Sequence, residues 1–449
     1  MAGMSGLSIN PAIIDDKKFS EELFLTTFHQ QEWGQGYSGF SVLKGTEILT
    51  TRGSGRVYDN LYSRLVKKGI KGTEGIGCCG AYPQPLQISS KLGTIAGCLS
   101  GHIINGSEII KFYESKAHIF SEEQDIEILL HILVQGQDVA QDGVSRAIEM
   151  IKGAYSFLIL TTKGIYAFCS PDGRWPLILG QKEGMVAVVT ESTAFANTGI
   201  KITCLLNPGQ LVLLKDGKWQ TIIQFPVKKP RVCGLYPISP TYPTAILNGV
   251  LAFETRRKSG AALTRRDIKE GFIPDIVAPI PDSSREEAGG CLREFYRHRN
   301  LIPAGKDLLF RDVLTKFTPA RAIDGDLELE EKLKLLPIPE DFSDTRAVIC
   351  YAYLRKNTIP ILKGMGFKEL HLRVSFPRLL SPCPWGEITR EGEILPAHLQ
   401  SDEEIAEYLG VTSIKFNTIE TLLEVESCIF PPEHICRDCA LRKEEWEEF

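Results

Sequence analysis

The chain has 449 residues, of which 43% are hydrophobic, and its formal net charge is -5 at pH 7. That length predicts more than one domain, and the hydrophobic fraction is ample for buried cores. The slightly acidic balance argues against a protein built to coat nucleic acid or an anionic membrane, so we expect neither as a partner.

The N-terminal residues carry no targeting pattern. The stretch MAGMSGLSINPAIIDDKKFS lacks a basic region followed by an apolar run, and the chain has no apolar run of about 18 residues. We therefore expect a cytoplasmic protein without membrane insertion. Because the cytosol keeps thiols reduced, the twelve cysteines favour metal binding over disulfides where they cluster.

The first half of the chain has the pattern of strands interrupted by one strong helix. Between residues 40 and 214 short apolar runs alternate with glycine-containing turns, and Lys163-Gly164 predicts a hairpin turn. A helical period follows Asp125. The apolar positions of that helix recur every three or four residues: Ile126, Leu129, Leu130, Leu133 and Val134. We expect that face to lie in a core.

The pattern weakens between residues 215 and 230, which predicts a linker, and a second domain is expected from Arg231. From there strand and helix patterns alternate, which predicts a mostly parallel sheet covered by helices. The segments DIVAPIP and RAVICYAYL are typical of buried strands, and KELHLRVSF alternates between an apolar and a polar face. Ser401 and Glu404 predict a capping box on a helix that Gly410 ends.

Several segments, taken in order, resemble one family of enzymes. In the first half these are GQGYSGF from residue 34, GIG from residue 75, GAYSFLIL from residue 153 and SPDGRWPLILG from residue 170. The second half adds PIPDSSR from residue 279, KELHLRVSFPRLLSPCPWG from residue 368 and SDEEIAEYLGVTSIKFNTIETLLEVE from residue 401. Together they resemble the glutamine phosphoribosylpyrophosphate amidotransferases, two-domain enzymes that open purine biosynthesis.

This resemblance implies a protein of two domains, with α/β and α+β architecture. Residues 1–230 are expected to form an N-terminal-nucleophile, αββα glutaminase-like domain. Residues 231–449 are expected to form a type I phosphoribosyltransferase-like α/β domain with a cysteine-containing tail. By analogy with the family we also expect a homo-oligomer.

The nucleophile for glutamine hydrolysis is missing. The family attacks the carboxamide with a cysteine at the mature N-terminus, but this chain has no cysteine before Cys78. The family's start aligns at best with Ser5, and a serine hydroxyl is a far poorer nucleophile than a thiolate at neutral pH. Where the family carries a substrate-binding arginine after GIG, this chain has Cys-Cys-Gly-Ala.

A vestige of the glutamine site is expected around three further residues. The Asn-Gly pair that stabilises the oxyanion in the family aligns with Ser100-Gly101, so one donor is replaced by a shorter side chain. Asp125 matches a glutamine-binding residue, although an acidic residue at a helix start is also typical of a cap. Loss of one oxyanion donor costs about 3 to 4 kcal/mol in a hydrolase, so we predict no catalytic residue and no glutaminase activity.

The phosphoribosyl site departs from the family as well. In the family two adjacent acidic residues follow a strand and bind the ribose hydroxyls, but Tyr351 and Ala352 stand there in this chain. Three basic side chains remain as candidates to bind a nucleotide or phosphorylated metabolite: Arg285, Arg355 and Lys356. Two alternatives stay open, since a short basic stretch is also typical of a solvated loop, and Tyr351 with Tyr353 would fill the former pocket.

Four cysteines match the ligand positions of the iron-sulfur branch of the family. Cys436 and Cys439 form a CxxC motif, whose spacing lets two thiolates bind one ion. In that branch one cysteine follows the interdomain linker, as Cys233 does, and another follows a proline in the second domain, as Cys383 does. The resemblance implies a 4Fe-4S cluster, with zinc as the alternative because four thiolates complete either site.

The other cysteines are expected to be core residues: Cys98, Cys169, Cys204, Cys291 and Cys350. Cys78 and Cys79 occupy the former substrate-binding turn, so metal binding or thiol reactivity is an alternative to a core position there. Cys428 has no predicted role.

The sequence therefore predicts an iron-sulfur-binding homologue of amidophosphoribosyltransferase that is inactive in both parental reactions. Such a protein would act as a regulator, scaffold or sensor. Two alternatives are an enzyme with altered chemistry in the remodelled phosphoribosyl pocket or at the cluster, and a true amidophosphoribosyltransferase of purine biosynthesis.

Overall fold

The computed structural model describes residues 2–122, 124–227, 229–317, 334–386, 389 and 394–446. The chain divides into two compact units, one formed by Met1–Cys233 with Pro384–Ile388 and the other by Gly234–Cys383 with Thr389–Phe449. The sequence placed the division after residue 230 and gave no sign that residues 384–388 belong with the first unit. None of the described helices is both long enough and apolar enough to cross a membrane.

The first unit contains two antiparallel sheets and five described α-helices. Its strands are β1 (Ala2–Ile9), β2 (Tyr37–Lys44), β3 (Glu47–Ser54), β4 (Glu74–Gly80), β5 (Leu86–Ser90), β6 (Gly93–Ile103), β7 (Gly153–Thr161), β8 (Gly164–Cys169), β9 (Ile178–Lys182), β10 (Met185–Val189), β11 (Lys201–Leu205), β12 (Gln210–Lys215), β13 (Lys218–Gln224) and the short β14 (Val232–Cys233). Its helices are α1 (Asp16–Phe28), α2 (Val57–Leu61), α3 (Gly106–Glu114), α4 (Asp125–Leu133) and α5 (Val144–Met150).

The two sheets stack with a helical layer on each outer face. One sheet has the strand order β11-β9-β10-β1-β4-β2-β3 and the other β13-β12-β8-β7-β6-β5. An apolar core between them includes Met4, Ile76 and Leu158. Helix α1 packs on β1 and β4, whereas α4 packs on β6. The αββα prediction is therefore confirmed.

Local predictions in this unit are confirmed at two places and wrong at a third. The apolar face of α4 is buried, and Thr161 pairs with Gly164 across the hairpin turn. The predicted linker is wrong, because β13 occupies much of it and pairs with β12. Since β13 is an edge strand with mostly exposed or half-buried side chains, its sequence lacks the alternation of a half-buried strand.

The second unit is built on a parallel sheet. Its strands are β15 (Ile246–Leu247), β16 (Val250–Leu251), β17 (Ile276–Pro279), β18 (Leu309–Phe310), β19 (Leu314–Lys316), β20 (Leu335–Pro337), β21 (Arg346–Tyr351), β22 (Glu369–Val374), β23 (Ser413–Phe416) and β24 (Ile435–Cys436). Its described α-helices are α6 (Ala252–Lys269), α7 (Arg285–Arg297), α8 (Ile359–Gly364), α9 (Asp402–Leu409) and α10 (Ile419–Glu426).

The central sheet has the order β18-β17-β21-β22-β23, and every neighbouring pair in it is parallel. Residues of α8 and α9 join the core on one face of the sheet, and α6 and α7 pack against strands from the other. The predicted parallel sheet covered by helices is confirmed. The capping box of Ser401 and Glu404 is present, and Gly410 adopts the left-handed conformation that ends α9.

Candidate functional site

Ala2 lies beside Ser100, the residue that the sequence matched to the family's oxyanion position. Its backbone N–H donates to the hydroxyl of Ser100 at 3.3 Å, and both residues are buried. Ser5 lies three residues further along β1, is 0% exposed, and its hydroxyl is hydrogen-bonded to that of Thr27 at 2.7 Å. The role expected for Ser5 in a glutamine site stays a prediction.

Gly101 and Asp125 retain structural roles beside Ser100. A Cβ at Gly101 would lie 2.1 Å from the carbonyl oxygen of Ala154, and its φ of 128° suits glycine. Asp125 begins α4, and its carboxylate accepts from the backbone N–H of Ile103 and contacts Nδ1 of His102, both at 3.0 Å. The carboxylate therefore ties the end of β6 to the start of α4.

The adjacent thiols in β4 do not supply a replacement nucleophile. Cys78 and Cys79 are each 1% exposed, and Cys78 belongs to the core between the sheets. Burial raises the pKa of the Cys79 thiol well above its ordinary value, and its Sγ lies 3.7 Å from the carbonyl oxygen of Gly3. Since the thiolate is the reactive form, this burial opposes reactivity of Cys79.

Backbone packs closely around Gly80, the residue that follows the two adjacent cysteines. Gly80 pairs with Ala2 across β4 and β1, and a Cβ built on Gly34 would lie only 2.6 Å from the Cα of Gly80. The two glycines therefore bring their backbones into direct contact. No cationic side chain is offered by this part of β4.

A cluster of tryptophans, not predicted from the sequence, lies in the same unit. Trp33 and Trp175 pack edge to face with ring centroids 6.4 Å apart, and the indole N–H of Trp175 donates to the carbonyl of Trp385 at 3.0 Å. The guanidinium of Arg174 stacks over the Trp385 ring at 3.9 Å and pairs with Asp172. These contacts hold the segment at residues 384–386 within the first unit.

In the second unit, Tyr351 and Ala352 end β21 at the carboxyl edge of the sheet. Tyr351 is 1% exposed, and its hydroxyl is hydrogen-bonded to that of Thr358 at 2.6 Å. The backbone N–H of Ala352 donates to the hydroxyl of Ser284 at 2.8 Å, and Tyr353 is also buried. Tyrosine rings therefore occupy protein interior where open α/β sheets normally present a ligand crevice.

The three candidate anion-binding cations each contact other groups of the chain. Arg285 pairs with Asp312 at 3.1 Å, and Lys356 donates to the carbonyl of Ile394 at 3.1 Å. The guanidinium of Arg355 lies over the ring of Tyr353 at 5.2 Å. An anion would have to compete with these contacts, so the grouping of the three cations stays a prediction.

The four predicted metal ligands are distributed over both units. Cys233 ends the first unit, whereas Cys383, Cys436 and Cys439 belong to the second. Within the second unit, the carbonyl of Cys439 accepts from the N–H of Leu380 at 2.8 Å, so the segment before Cys383 runs beside the CxxC motif. Across the described ranges, no group of three or more His, Cys, Asp or Glu side chains is arranged to hold a metal ion.

Most of the remaining cysteines have the predicted core positions. Cys98, Cys169, Cys291 and Cys350 are at most 1% exposed, whereas Cys204 is half-buried. Cys428 is exposed.

Known proteins resemble both units of this chain. Residues 79–197 match a family model described as a glutamine amidotransferase domain. The chain is 28% identical over 428 residues to the amidophosphoribosyltransferase of Methanothermobacter thermautotrophicus, covering 91% of this chain and 88% of that protein. It is 26% identical over 413 residues to the Bacillus subtilis amidophosphoribosyltransferase, covering 88% and 84% respectively.

Solved structures share the fold. One, described as a glutamine phosphoribosylpyrophosphate amidotransferase from B. subtilis complexed with ADP and GMP, has a TM-score of 0.84 at 22% identity and covers 97% of this chain and 96% of that one. A second, described as the allosteric regulatory enzyme of purine biosynthesis, has a TM-score of 0.83 at 22% identity, covering 97% and 94%.

The fold defines a protein with a glutaminase-type domain followed by a phosphoribosyltransferase-type domain. Within that class, the chain is similar to an amidophosphoribosyltransferase over 91% of its length, at 28% identity. The names of these relatives favour a true amidophosphoribosyltransferase more directly than the inactive homologue that the residues of this chain predict.

Proposed function

We propose that this chain is an amidophosphoribosyltransferase relative that performs neither glutamine hydrolysis nor phosphoribosyl transfer, and acts as a regulator, scaffold or sensor. The observation that carries the proposal is Ala2, whose backbone N–H donates to Ser100 and whose side chain is only a methyl group. A methyl group has no lone pair with which to attack a carboxamide, so the first covalent step of the glutaminase reaction has no nucleophile.

Phosphoribosyl transfer is disfavoured by the side chains at the end of β21. Ribose hydroxyls are bound in the family by two acidic side chains, but the corresponding Tyr351 is turned into the interior and Ala352 has no polar side chain atom. The backbone N–H of Ala352, which would otherwise be a donor for a ligand, donates to Ser284. A phosphoribosyl group would find neither the acceptors nor the space.

Two assays test this proposal on the purified full-length chain. We expect no release of glutamate from glutamine, and no release of pyrophosphate from phosphoribosyl pyrophosphate with ammonia as acceptor. Both rates should equal those of a heat-denatured sample. Turnover above that background would support the second candidate function, a true amidophosphoribosyltransferase, which the full-length similarity to enzymes of that name favours.

A 4Fe-4S cluster on four cysteines is part of the proposal, and its support is the set of donors. Four thiolates are the ligand set of such a cluster. The N–H of Gly234, the residue after Cys233, donates to the carbonyl of Cys436 at 2.9 Å, and the segment of Cys383 runs beside that of Cys439. The described side chains do not by themselves form a closed ligand group, so no chemical step is assigned to the cluster.

Metal analysis after anaerobic purification tests the cluster. We expect about four irons per chain, and loss of that iron in Cys436→Ala. Cys428→Ala is the matched control, because Cys428 lies nearby in sequence but is exposed and has no predicted ligand role. Stoichiometric zinc without iron would contradict the cluster and support the zinc alternative.

We also propose a homo-oligomer in the cytoplasm, with a nucleotide or phosphorylated metabolite as ligand. A ligand present at one hundred times its dissociation constant stabilises the folded protein by about 2.7 kcal/mol, which thermal unfolding detects readily. Absence of any shift with purine nucleotides or phosphoribosyl pyrophosphate at millimolar concentration would contradict ligand binding. It would favour the alternative in which Tyr351 and Tyr353 fill the pocket.

A further inference from the structure

Glu287 is a buried carboxyl group with no hydrogen-bond donor from any other described residue. It lies in the first turn of α7 and is 0% exposed. No described residue other than Glu287 itself donates a hydrogen bond to either of its carboxyl oxygens. Burial of an ionised carboxylate without such donors is unfavourable, so this environment selects the protonated acid.

The nearest cation does not donate a hydrogen bond to the carboxylate of Glu287. Arg256 of α6 is 1% exposed, and its guanidinium donates to several backbone carbonyl groups, which belong to Pro237, Ser239, Thr241 and Ser283. It also lies 3.6 Å from the carboxylate of Glu286. Its donors are therefore directed at other acceptors, and its positive charge is shared with a second acidic residue.

The strands packed against α7 place uncharged groups near Glu287. On α7 itself Cys291 is buried, and β21 contributes Cys350, whose thiol lies 3.5 Å from that of Cys291. The hydrogen bond with Cys291 and burial raise the pKa of the Cys350 thiol well above its ordinary value, so this thiol is uncharged. The other strands packed on α7, β17 and β18, carry no titratable side chain.

The helix pair leaves no route for Glu287 to reach water. At the crossing of α6 and α7, a Cβ on Gly260 would lie 2.0 Å from the carbonyl oxygen of Glu287, and one on Gly290 would lie 2.0 Å from that of Arg257. Backbones this close exclude solvent between the helices. Hydration of the carboxylate therefore requires the two helices to separate.

We propose that Glu287 is a proton-operated latch, which is neutral when α6 and α7 are packed and ionises when they separate. The latch is connected to the candidate ligand pocket, because the hydroxyl of Ser284, three residues before Glu287, accepts from Ala352 at the end of β21. Rising pH opens the helix pair and releases that contact.

The direction of the pH effect follows from the folded-state pKa. Burial raises the pKa of Glu287 from 4.5 to about 8, and the charge of Arg256 only partly offsets that rise. The packed state therefore keeps a proton that the open state releases. Stability from this group is fully present below the ordinary pKa and is lost as pH rises toward the folded pKa. The opening constant should increase about tenfold per pH unit over that interval and then level off.

Hydrogen exchange of the peptide covering residues 285–297, measured by mass spectrometry on the full chain, tests the latch. After correction for the intrinsic pH dependence of exchange, we expect the opening constant to rise about fiftyfold between pH 6 and pH 8. Glu287→Gln, which mimics the neutral acid in shape, should remove that rise. Glu286→Gln, the adjacent acidic residue, should leave it in place. An equal pH slope in the unsubstituted chain and in Glu287→Gln would overturn the proposal.

An infrared measurement on the unsubstituted chain gives a second readout that does not depend on a variant folding. A buried neutral glutamic acid gives the C=O band of a protonated carboxylic acid at pH 6. We expect that band to fade as pH approaches 9. Its absence at pH 6 would overturn the proposal.

Discussion

A methyl group added at Gly290 tests how closely α6 and α7 must approach. A Cβ at this position would lie 2.0 Å from the carbonyl oxygen of Arg257 and 2.9 Å from its Cα, whereas ordinary contact begins at 3.4 Å. The atoms in the way belong to backbone, so rotation of a side chain does not relieve the clash. Overpacking of this kind costs about 1 to 3 kcal/mol, and we expect the upper end here.

The intrinsic preference of alanine for helices opposes that loss. Alanine is favoured over glycine in a helix interior by about 1 kcal/mol, so Gly290→Ala should destabilise the second unit by about 2 kcal/mol net. Gly289→Ala is a matched control in the same helix, because a Cβ there meets nothing within 4 Å. It should instead stabilise the unit by up to about 1 kcal/mol.

Urea unfolding of the two full-length variants measures the difference, which we expect to be about 3 kcal/mol. Local exchange of the residues 285–297 peptide assigns the change to the helix pair rather than to the first unit. If Gly290→Ala and Gly289→Ala unfold at the same urea concentration, the close crossing is not a constraint on the fold.

Two further substitutions test buried and terminal interactions of the second unit. Asp267→Asn leaves the buried cations of Arg373 and Lys415 without their shared carboxylate, and should lower the free energy of unfolding in urea by about 3 to 5 kcal/mol. Its control is Glu270→Gln, whose side chain is 59% exposed and whose loss should cost less than about 1 kcal/mol. Ser401→Ala removes the capping box of α9 and should lower the unfolding free energy by about 1 kcal/mol, whereas an unchanged value would mean that the cap is replaced by water.

The alternating pattern of β22 was predictable, but the environment of its polar face was not. Leu370, Leu372 and Val374 lie in the core, as the alternation indicates. Arg373, on the other face, is only 2% exposed and makes two hydrogen bonds to the carboxylate of Asp267, which is 106 residues away in the chain. Periodicity reports which side chains share a face, whereas the partner that covers a face depends on tertiary packing.

The surroundings of the start of the chain also required the structure. The start repeats a pattern of small residue, glycine and apolar residue, first as Ala2-Gly3-Met4 and again as Ser5-Gly6-Leu7. The sequence matched the start of the family to the second repeat. In the structure the first repeat brings its leading residue beside Ser100, because the N–H of Ala2 donates to the Ser100 hydroxyl.

The placement of residues 384–386 with the first unit also depends on tertiary contacts. The segment follows a second-domain strand pattern in sequence, and a sequence window contains no sign of a partner earlier in the chain. Its contacts include a hydrogen bond from Trp175 to the carbonyl of Trp385 and the stacked guanidinium of Arg174. Such cation–π contacts are set by ring orientation, which single-sequence patterns do not encode.

Under the proposed function, the two candidate sites depart from the family by different physical routes, and this difference bears on whether function could be restored. Ala2, whose backbone N–H donates to Ser100, has only a methyl side chain. At the end of β21 a buried ring fills the space, because the hydroxyl of Tyr351 is hydrogen-bonded to that of Thr358. Restoring the first site would require new atoms on an existing frame, whereas restoring the second would require removing a buried ring, whose loss costs about 3 to 5 kcal/mol. The first site is therefore the less costly of the two to restore.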